Sequence, residues 1–127
     1  MFKDSPTFNS VSVDDLQKAR RFYAQTLGLK VAEQPEGLSV SLAGGGRLFI
    51  YPKPNHQPAT FTILNFEVPD VAAAVAELGR QGVQVEHYDG PGLKTDAQGI
   101  LRGDRGPRAI AWFKDPAGNI LSVVEPR

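Results

Sequence analysis

Few residues in this sequence could do acid–base or metal chemistry. The chain has two histidines, His56 and His87, and no cysteine. The absence of thiols excludes disulfides, thiolate metal sites and a cysteine nucleophile. His56 lies in a proline-rich segment, residues 52–58, and His87 ends an alternating segment, so we expect both at the solvent-exposed surface. No nucleophile has an evident base, and the sequence therefore identifies no catalytic residue.

The elements that must position the remaining side chains begin with a strand, a helix and three further strands. An aspartate at position 14 or 15 offers a helix cap, and apolar residues follow it at helical spacing. Gly28 ends this helix, and glycines 44–46 supply a turn between the last two strands. The first half therefore predicts strands at 7–13, 29–33, 38–42 and 47–51, with a helix at 15–27.

The same order of elements repeats about 55 residues later. Asp70 corresponds to Asp15 as the helix cap, and Gly82 ends the second helix. The second half predicts strands at 60–68, 83–87, 109–114 and 120–125, with a helix at 70–80. A long connection, residues 89–107, is expected to be either a lid or a disordered loop.

This repeat predicts one α+β domain, residues 1–127, made of two βαβββ modules at about 5–52 and 59–127. Each module alone would expose an apolar sheet face. We therefore expect the modules to form a curved mixed sheet around a cleft, with the helices on the outer faces. The competing interpretation is an unrelated ferredoxin-like or other α+β domain in which the repeat is accidental.

Composition limits the partners. Fourteen basic residues balance fourteen acidic ones, so no large net field is available to hold a nucleic acid. No apolar run is long enough to span a bilayer, and the first ten residues lack the pattern of a signal peptide. We therefore expect a cytoplasmic protein with no nucleic-acid or membrane partner.

Three segments resemble the vicinal-oxygen-chelate superfamily, which includes glyoxalases, bleomycin resistance proteins and extradiol dioxygenases. They are VSVDDL at 11–16 with Phe22, Tyr23 and the Leu27-Gly28-Leu29 stop, FEVPDV at 66–71, and WFKDPAGNI at 112–120. Each segment alone is a common pattern, but their combination at these separations is specific, and the resemblance covers nearly the whole chain.

The resemblance implies metal ligands on the first and last strands of each module. Counted from the helix caps and from the turn at Asn119, three of these positions hold Phe8, Ile63 and Ser122. The fourth falls in the last strand of the first module, residues 48–51, where every side chain is apolar or aromatic and Tyr51 has the one donor atom. Phenylalanine and isoleucine cannot bind a metal, a serine hydroxyl is a poor ligand, and a tyrosine is only an occasional one. We therefore expect no metal and no cofactor.

Strand alternation predicts the side chains that face the cleft. Phe8 and Trp112 would be stacking surfaces, and polar groups such as Asn65 would orient a ligand. In the alternative interpretation, the two aromatic rings only fill space between the modules. The predicted ligand-binding residues are Phe8, Ser10, Ser12, Ile50, Ile63, Asn65, Glu67, Trp112 and Ser122.

The function predicted from these features is metal-independent binding of a small molecule, either a drug or an aromatic metabolite, as in the bleomycin resistance proteins. The alternative is an enzyme similar to lactoylglutathione lyase or the dioxygenases, which would need the metal. The resemblance also implies a twofold homodimer, in which modules pair within a chain or are exchanged between chains.

Overall fold

In the computed structural model, which describes residues 1–127, both helices begin directly after an aspartate. The Asp15 carboxylate accepts hydrogen bonds from two backbone N–H groups of the first turn of α1 (Leu16–Arg21). Asp70 accepts one from the first turn of α2 (Val71–Arg80). These bonds satisfy N–H groups that have no partner inside a helix. Both caps predicted from the sequence are therefore confirmed.

The first helix does not stay α-helical to its end. It continues as a π-helical segment, Phe22–Thr26, in which the Leu27 N–H donates to the Phe22 carbonyl five residues back, at 2.9 Å. Gly28 then adopts a φ of 70°, a left-handed conformation that glycine tolerates best. The helix predicted at 15–27 thus has the expected extent and a different final turn.

The chain divides into two compact units, Met1–Pro58 and Ala59–Arg127. Unit 1 contains a four-stranded mixed sheet in the order β1-β4-β3-β2. The pair β1 and β4 is parallel and the other two pairs are antiparallel. Its strands are β1 (Asn9–Val13), β2 (Lys30–Gln34), β3 (Gly37–Ser41) and β4 (Arg47–Pro52).

One face of the unit 1 sheet is buried and packs against α1. Val13, Val40 and Ile50 on this face have no exposed surface, as expected for alternate residues of strands whose other face is free of the helix. The inclusion of Ile50 among the ligand-contacting residues is thereby corrected, because it lies in the core with Leu48.

Unit 2 contains a second four-stranded mixed sheet, in the order β5-β10-β9-β8, and a separate two-stranded hairpin, β6-β7. Helix α2 packs against β9 and β10. The strands are β5 (Thr62–Glu67), β6 (Asp89–Gly90), β7 (Leu93–Lys94), β8 (Leu101–Arg102), β9 (Ala109–Lys114) and β10 (Ile120–Glu125).

The strand predicted at Val83–His87 is wrong. This segment makes one bond of the sheet type, from the Glu86 N–H to the Trp112 carbonyl at 2.7 Å, and no strand is formed. The two residues of β8 occupy the edge beside β9 instead. Alternating side chains predicted a strand here, but a strand requires a continuous partner along its length.

The segment 89–107 has structure of its own. Its hairpin pairs Asp89 with Lys94. Its next turn is closed by the Asp96 carboxylate, which accepts from the N–H groups of Gln98 and Ile100 at 2.8 and 2.9 Å. Such carboxylate-capped turns replace the regular backbone pairing of a strand. The connection is therefore built from short strands and turns.

The observed architecture is α+β, with two four-stranded mixed sheets, and this confirms the predicted fold class. No helix in the structure has the length and apolar character needed to cross a membrane.

Candidate functional site

In unit 1 the candidate site lies on the sheet face opposite α1, which we call the helix-free face of unit 1. Phe49 and Tyr51 of β4 project there, since their neighbours Leu48 and Ile50 are buried on the other side. The two rings are stacked, with centroids 6.3 Å apart and an interplanar angle of 16°. In the sheet register, Ser10 of β1 lies beside Phe49. This face therefore combines aromatic rings with small hydroxyl groups.

A pocket of about 250 Å³ opens on this face. Phe8, directly before β1, is 52% exposed there, and the guanidinium carbon of Arg47 lies 4.8 Å from the centroid of its ring. A cation at this distance over an aromatic face is attracted by the ring's quadrupole. The pocket is lined by Phe8, Gln34, Glu36, Ser39, Arg47 and Phe49.

The other serine predicted on this face, Ser12, is engaged with a histidine. Its Oγ lies 2.7 Å from Nδ1 of His56, and His56 is half-buried. The expectation of a solvated His56 is therefore wrong, because this contact fastens the proline-rich segment to β1. A second bond, from the Lys53 N–H to the Val13 carbonyl at 2.9 Å, fastens the start of the same segment.

In unit 2 a β-bulge changes which residues share a face. Thr62 pairs with Ile120 and Leu64 pairs with the next residue of β10, so Ile63 is the extra residue of the bulge. A bulge breaks the strict alternation of a strand. Simple counting had assigned Ile63 to the face of Asn65, but in the structure it does not line the pocket of this unit.

Trp112 lines that pocket, which has a volume of about 260 Å³. Its indole N–H donates to the Thr62 hydroxyl at 3.2 Å. The Tyr88 ring meets the indole edge-on, with centroids 5.6 Å apart and an angle of 81°. These two contacts hold the indole in one orientation. The pocket is lined by Thr60, Phe61, Thr62, Tyr88, Leu93, Trp112 and Ile120.

The surroundings of the Tyr88 phenol favour its neutral form. Partial burial raises its pKa above the ordinary value of 10.0, and the Glu86 carboxylate raises it further, while Lys114 opposes this. Lys114 and Glu86 are themselves paired at 3.4 Å. A neutral phenol can donate a hydrogen bond to a ligand at physiological pH.

Ser122 and Asn65 form a hydrogen-bonded pair beside this pocket. Ser122 has no exposed surface, and its hydroxyl donates to Oδ1 of Asn65 at 2.5 Å. Its expected contact with a ligand is therefore corrected, because a fully covered side chain can only act through Asn65. Asn65 and Glu67 of β5 are exposed, so a ligand can reach both side chains.

Glu125, the last residue of β10, has a structural function. It is half-buried, and its carboxylate accepts from the Val71 N–H at 3.1 Å. A carboxylate at a helix start satisfies a free N–H group and interacts favourably with the helix dipole. Glu125 therefore joins the last strand of unit 2 to α2.

The residues at the four metal-ligand positions do not fit a divalent ion. Phe8 and Ile63 carry no donor atom, the Ser122 hydroxyl is bonded to Asn65, and the Tyr51 ring is stacked on Phe49. The chain brings no three His, Cys, Asp or Glu side chains together. Divalent metal ions, such as those bound by the superfamily's metal enzymes, need several carboxylate or imidazole ligands. No chemical step through a metal is derived for this chain.

Of the nine predicted ligand-binding residues, Phe8 and Trp112 each line a pocket in their own unit. The prediction missed Arg47, Phe49 and the pocket residues Thr62 and Tyr88. Alternation could have identified Phe49, because it places this residue on the sheet face opposite to that of its apolar neighbours Leu48 and Ile50. Thr62 and Tyr88 had no sequence signal, because a bulge and a non-regular segment bring them to Trp112.

The chain is similar to known proteins in both sequence and fold. Residues 7–123 match the family model described as the glyoxalase/bleomycin resistance protein/dioxygenase superfamily. A comparison with curated proteins gave no significant match.

Several solved structures are similar over nearly the full chain. One is a glyoxalase/bleomycin resistance protein from Streptomyces sp. CB03234, with 31% identity and a TM-score of 0.66, covering 95% of this chain and 100% of its own. TnmS3, an antibiotic binding protein from the same organism, has 29% identity and a TM-score of 0.69, with 98% of each chain covered. Lactoylglutathione lyase from Agrobacterium tumefaciens, at 21% identity, a TM-score of 0.68 and coverages of 97% and 95%, shares the fold.

Proposed function

This chain belongs to the glyoxalase/bleomycin resistance protein/dioxygenase superfamily, and from that premise we propose that it is a metal-independent binding protein for a small planar molecule. The ligand class is a drug, such as an aromatic antibiotic, or an aromatic metabolite. The observation that carries the proposal is the pocket around Trp112, where an oriented indole lies among aromatic and aliphatic side chains.

The pocket has the character of a small-molecule site. Such sites are mostly apolar, with a few polar groups that fix orientation. Here Phe61 and Ile120 supply apolar surface, and the Tyr88 phenol supplies a polar group. Phe61 is 67% exposed, so its ring is available for contact. A planar ligand would gain both apolar burial and ring stacking.

The relatives support binding as the function. TnmS3 is an antibiotic binding protein, and at 29% identity over 98% of this chain it carries more weight than the lyase, whose likeness is of fold. An enzyme of the metal-dependent type would need ligands that Phe8 and Ile63 cannot supply. Binding by shape and stacking needs only the residues present.

Assembly and location are part of the same proposal. We propose a twofold homodimer, as the superfamily resemblance implies, acting in the cytoplasm. The ligand is a small molecule, and the balance of fourteen basic and fourteen acidic residues gives no support to a nucleic-acid partner.

The decisive experiment uses the single tryptophan. Trp112 is the only tryptophan in the chain, so a change in intrinsic fluorescence reports on this pocket alone. We expect a neutral two-ring aromatic compound, 2-naphthamide, to quench it saturably, because a pocket of about 260 Å³ is below the roughly 300 Å³ of the smallest drug-sized sites and suits one or two rings. Trp112→Ala should weaken binding, measured by calorimetry, at least about tenfold, which corresponds to about 1.4 kcal/mol.

The matched control removes an aromatic ring elsewhere. Phe2 is 75% exposed and lines none of the pockets described, so Phe2→Ala should bind as the parent does. The melting temperature of each variant separates loss of binding from loss of folding. A folded Trp112→Ala protein that binds as tightly as the parent would contradict the assignment of this pocket.

A further inference from the structure

We propose that the pocket on the helix-free face of unit 1 is a receptor for the acidic group of a planar ligand, with Arg47 as the anion-binding residue. The ligand class is an aryl carboxylate or a similar monoanionic ring. The structural basis is the arrangement of Arg47 over Phe8, with Phe49 beside them in the same pocket.

The charge of Arg47 is available to a ligand. Arg47 is exposed and belongs to none of the ion pairs, all of which use other cations. Arginine keeps its charge at any physiological pH. The ion pairs join Arg20 to Glu33, Arg80 to Glu77, Lys94 to Asp89, and Lys114 to Glu86.

The side chain of Arg47 has a contact with Phe8 and no hydrogen bond of its own. Its guanidinium carbon is 4.8 Å from the ring centroid, so the cation rests over the ring of Phe8. The guanidinium donors therefore remain for a carboxylate, which can accept two of them side by side. Phe8 therefore acts as a support that orients the anion-binding group.

The rest of the lining selects a ring with one negative charge. Phe49, held by its stacking on Tyr51, provides an aromatic surface next to the cation. Ser39 and Gln34 provide neutral hydrogen-bonding groups. Glu36 lines the same pocket, and its carboxylate disfavours a second negative charge on the ligand. At about 250 Å³ the pocket is below the roughly 300 Å³ of the smallest drug-sized sites, which suits one or two rings.

This inference rests on the proposed function in one respect, that the protein binds small planar molecules. It concerns residues of unit 1 only, whereas the proposed function depends on Trp112 in unit 2. The two can therefore fail separately, provided that the measurement reports on each unit.

The test is two-dimensional NMR of the ¹⁵N-labelled full chain, titrated with 2-naphthoate and, in parallel, with the neutral 2-naphthamide. Backbone amides of Phe8, Ser39 and Phe49 report on unit 1, and the single indole N–H of Trp112 reports on unit 2. We expect naphthoate to shift the unit 1 amides with at least about fivefold higher affinity than naphthamide.

The variant Arg47→Gln should abolish this preference and leave the weaker binding of naphthamide unchanged. Arg21→Gln is the matched control, because Arg21 is an exposed cation of α1 that lines neither pocket described. Its amide spectrum and that of Arg47→Gln establish that both variants are folded. Increasing salt should reduce the preference in the parent, since an exposed ion pair is screened.

Three outcomes would overturn the inference. They are equal affinity for naphthoate and naphthamide in the parent, an undiminished preference in Arg47→Gln, or naphthoate shifts confined to the Trp112 indole. The last result would still support the function proposed for unit 2. Conversely, unit 1 shifts that depend on Arg47, with a silent indole, would support the anion receptor while contradicting the assignment of the Trp112 pocket.

Discussion

At the scale of single residues, the side chains expected to bind a ligand divide into contacting and supporting groups. Trp112 contacts a pocket directly, whereas Ser122 is fully covered and acts by holding Asn65. The distinction matters for mutagenesis. Removing the Ser122 hydroxyl would cost the net value of a hydrogen bond, about 0.5–1.5 kcal/mol of stability, and would reach a ligand only through the freed amide.

Asp96 gives a prediction of pH dependence at this scale. The backbone N–H of Ile100, with that of Gln98 and the charge of Arg102, holds the pKa of Asp96 below its ordinary value of 3.8. A lowered folded pKa stabilises the turn fully above 3.8, and the effect is lost as the pH falls through the lower, folded value. Asp96→Asn should therefore speed hydrogen exchange of the Ile100 amide at neutral pH.

The difference between Asp96→Asn and the parent should disappear in strong acid, below the folded pKa, where the parent carboxyl is also neutral. Asp104 is an exposed aspartate of the same connection, and Asp104→Asn is the matched control, expected to exchange as the parent does. Exchange rates in Asp96→Asn that match the parent at neutral pH would show that the carboxylate does not hold this turn.

At the scale of elements, the sheets are determined by close approaches that a pattern of residue types does not specify. Gly37 begins β3 in contact with β4, and a Cβ atom there would lie 2.1 Å from the carbonyl oxygen of Ile50 and 3.2 Å from the Phe49 ring. The strands can pair at this distance only because residue 37 has no side chain. Because the Phe49 ring borders the same space and lines the pocket of unit 1, a side chain at residue 37 would also disturb this pocket.

Two glycine substitutions should therefore change stability in opposite directions. Gly37→Ala should lower the free energy of unfolding by about 1–3 kcal/mol, because backbone must move to admit the methyl group. Gly79→Ala, in α2 with nothing within 4 Å of the added atom, should raise it by up to about 1 kcal/mol through helix propensity. Urea denaturation followed by circular dichroism measures both, and equal stabilities would refute the steric argument.

At the scale of the whole molecule, the match over residues 7–123 and the two mixed sheets establish the family and the fold. The resemblance places Phe8 and Ile63, which carry no donor atom, at the ligand positions of the superfamily's metal enzymes. A fold can be retained while the residues of its site change, because function resides in the site and not in the architecture. The proposed metal-independent function depends on those two residues.

Metal addition gives the first prediction at this scale. Zinc, nickel, manganese or iron(II) ions should leave the melting temperature unchanged, and the purified protein should hold no stoichiometric metal. An ion that bound only the folded chain at 100 times its dissociation constant would add about 2.7 kcal/mol of stability. Elemental analysis together with a melting shift of several degrees at one ion per chain would contradict the metal-independent proposal.

The oligomeric state gives the second prediction at this scale. Light scattering at micromolar concentration should yield twice the chain mass of 13.8 kDa, as the superfamily resemblance implies. A mass equal to one chain across the concentration range would refute the dimer.

Features determined by short stretches of chain could be predicted from the sequence. The helix caps Asp15 and Asp70, the strands of unit 1 and the turn before Ile120 are each encoded within a few residues, because capping, alternation and turn chemistry act locally. Because the internal repeat gives the same order of elements twice, it predicted how these local elements combine into a fold. The same information predicted Phe8 and Trp112 as ligand-facing residues, and in the structure each of them lines a pocket.

Tertiary structure alone decided the features that depend on a partner distant in sequence. The bulge that brings Thr62 to the indole, the contact of His56 with Ser12 and the failure of Val83–His87 to form a strand all depend on which chain segment lies alongside. The residue types of one segment do not specify its partner, because the free energy of strand pairing depends on both segments. For this reason the sequence determined the family and the aromatic surfaces, while the tertiary structure decided which side chains share a pocket.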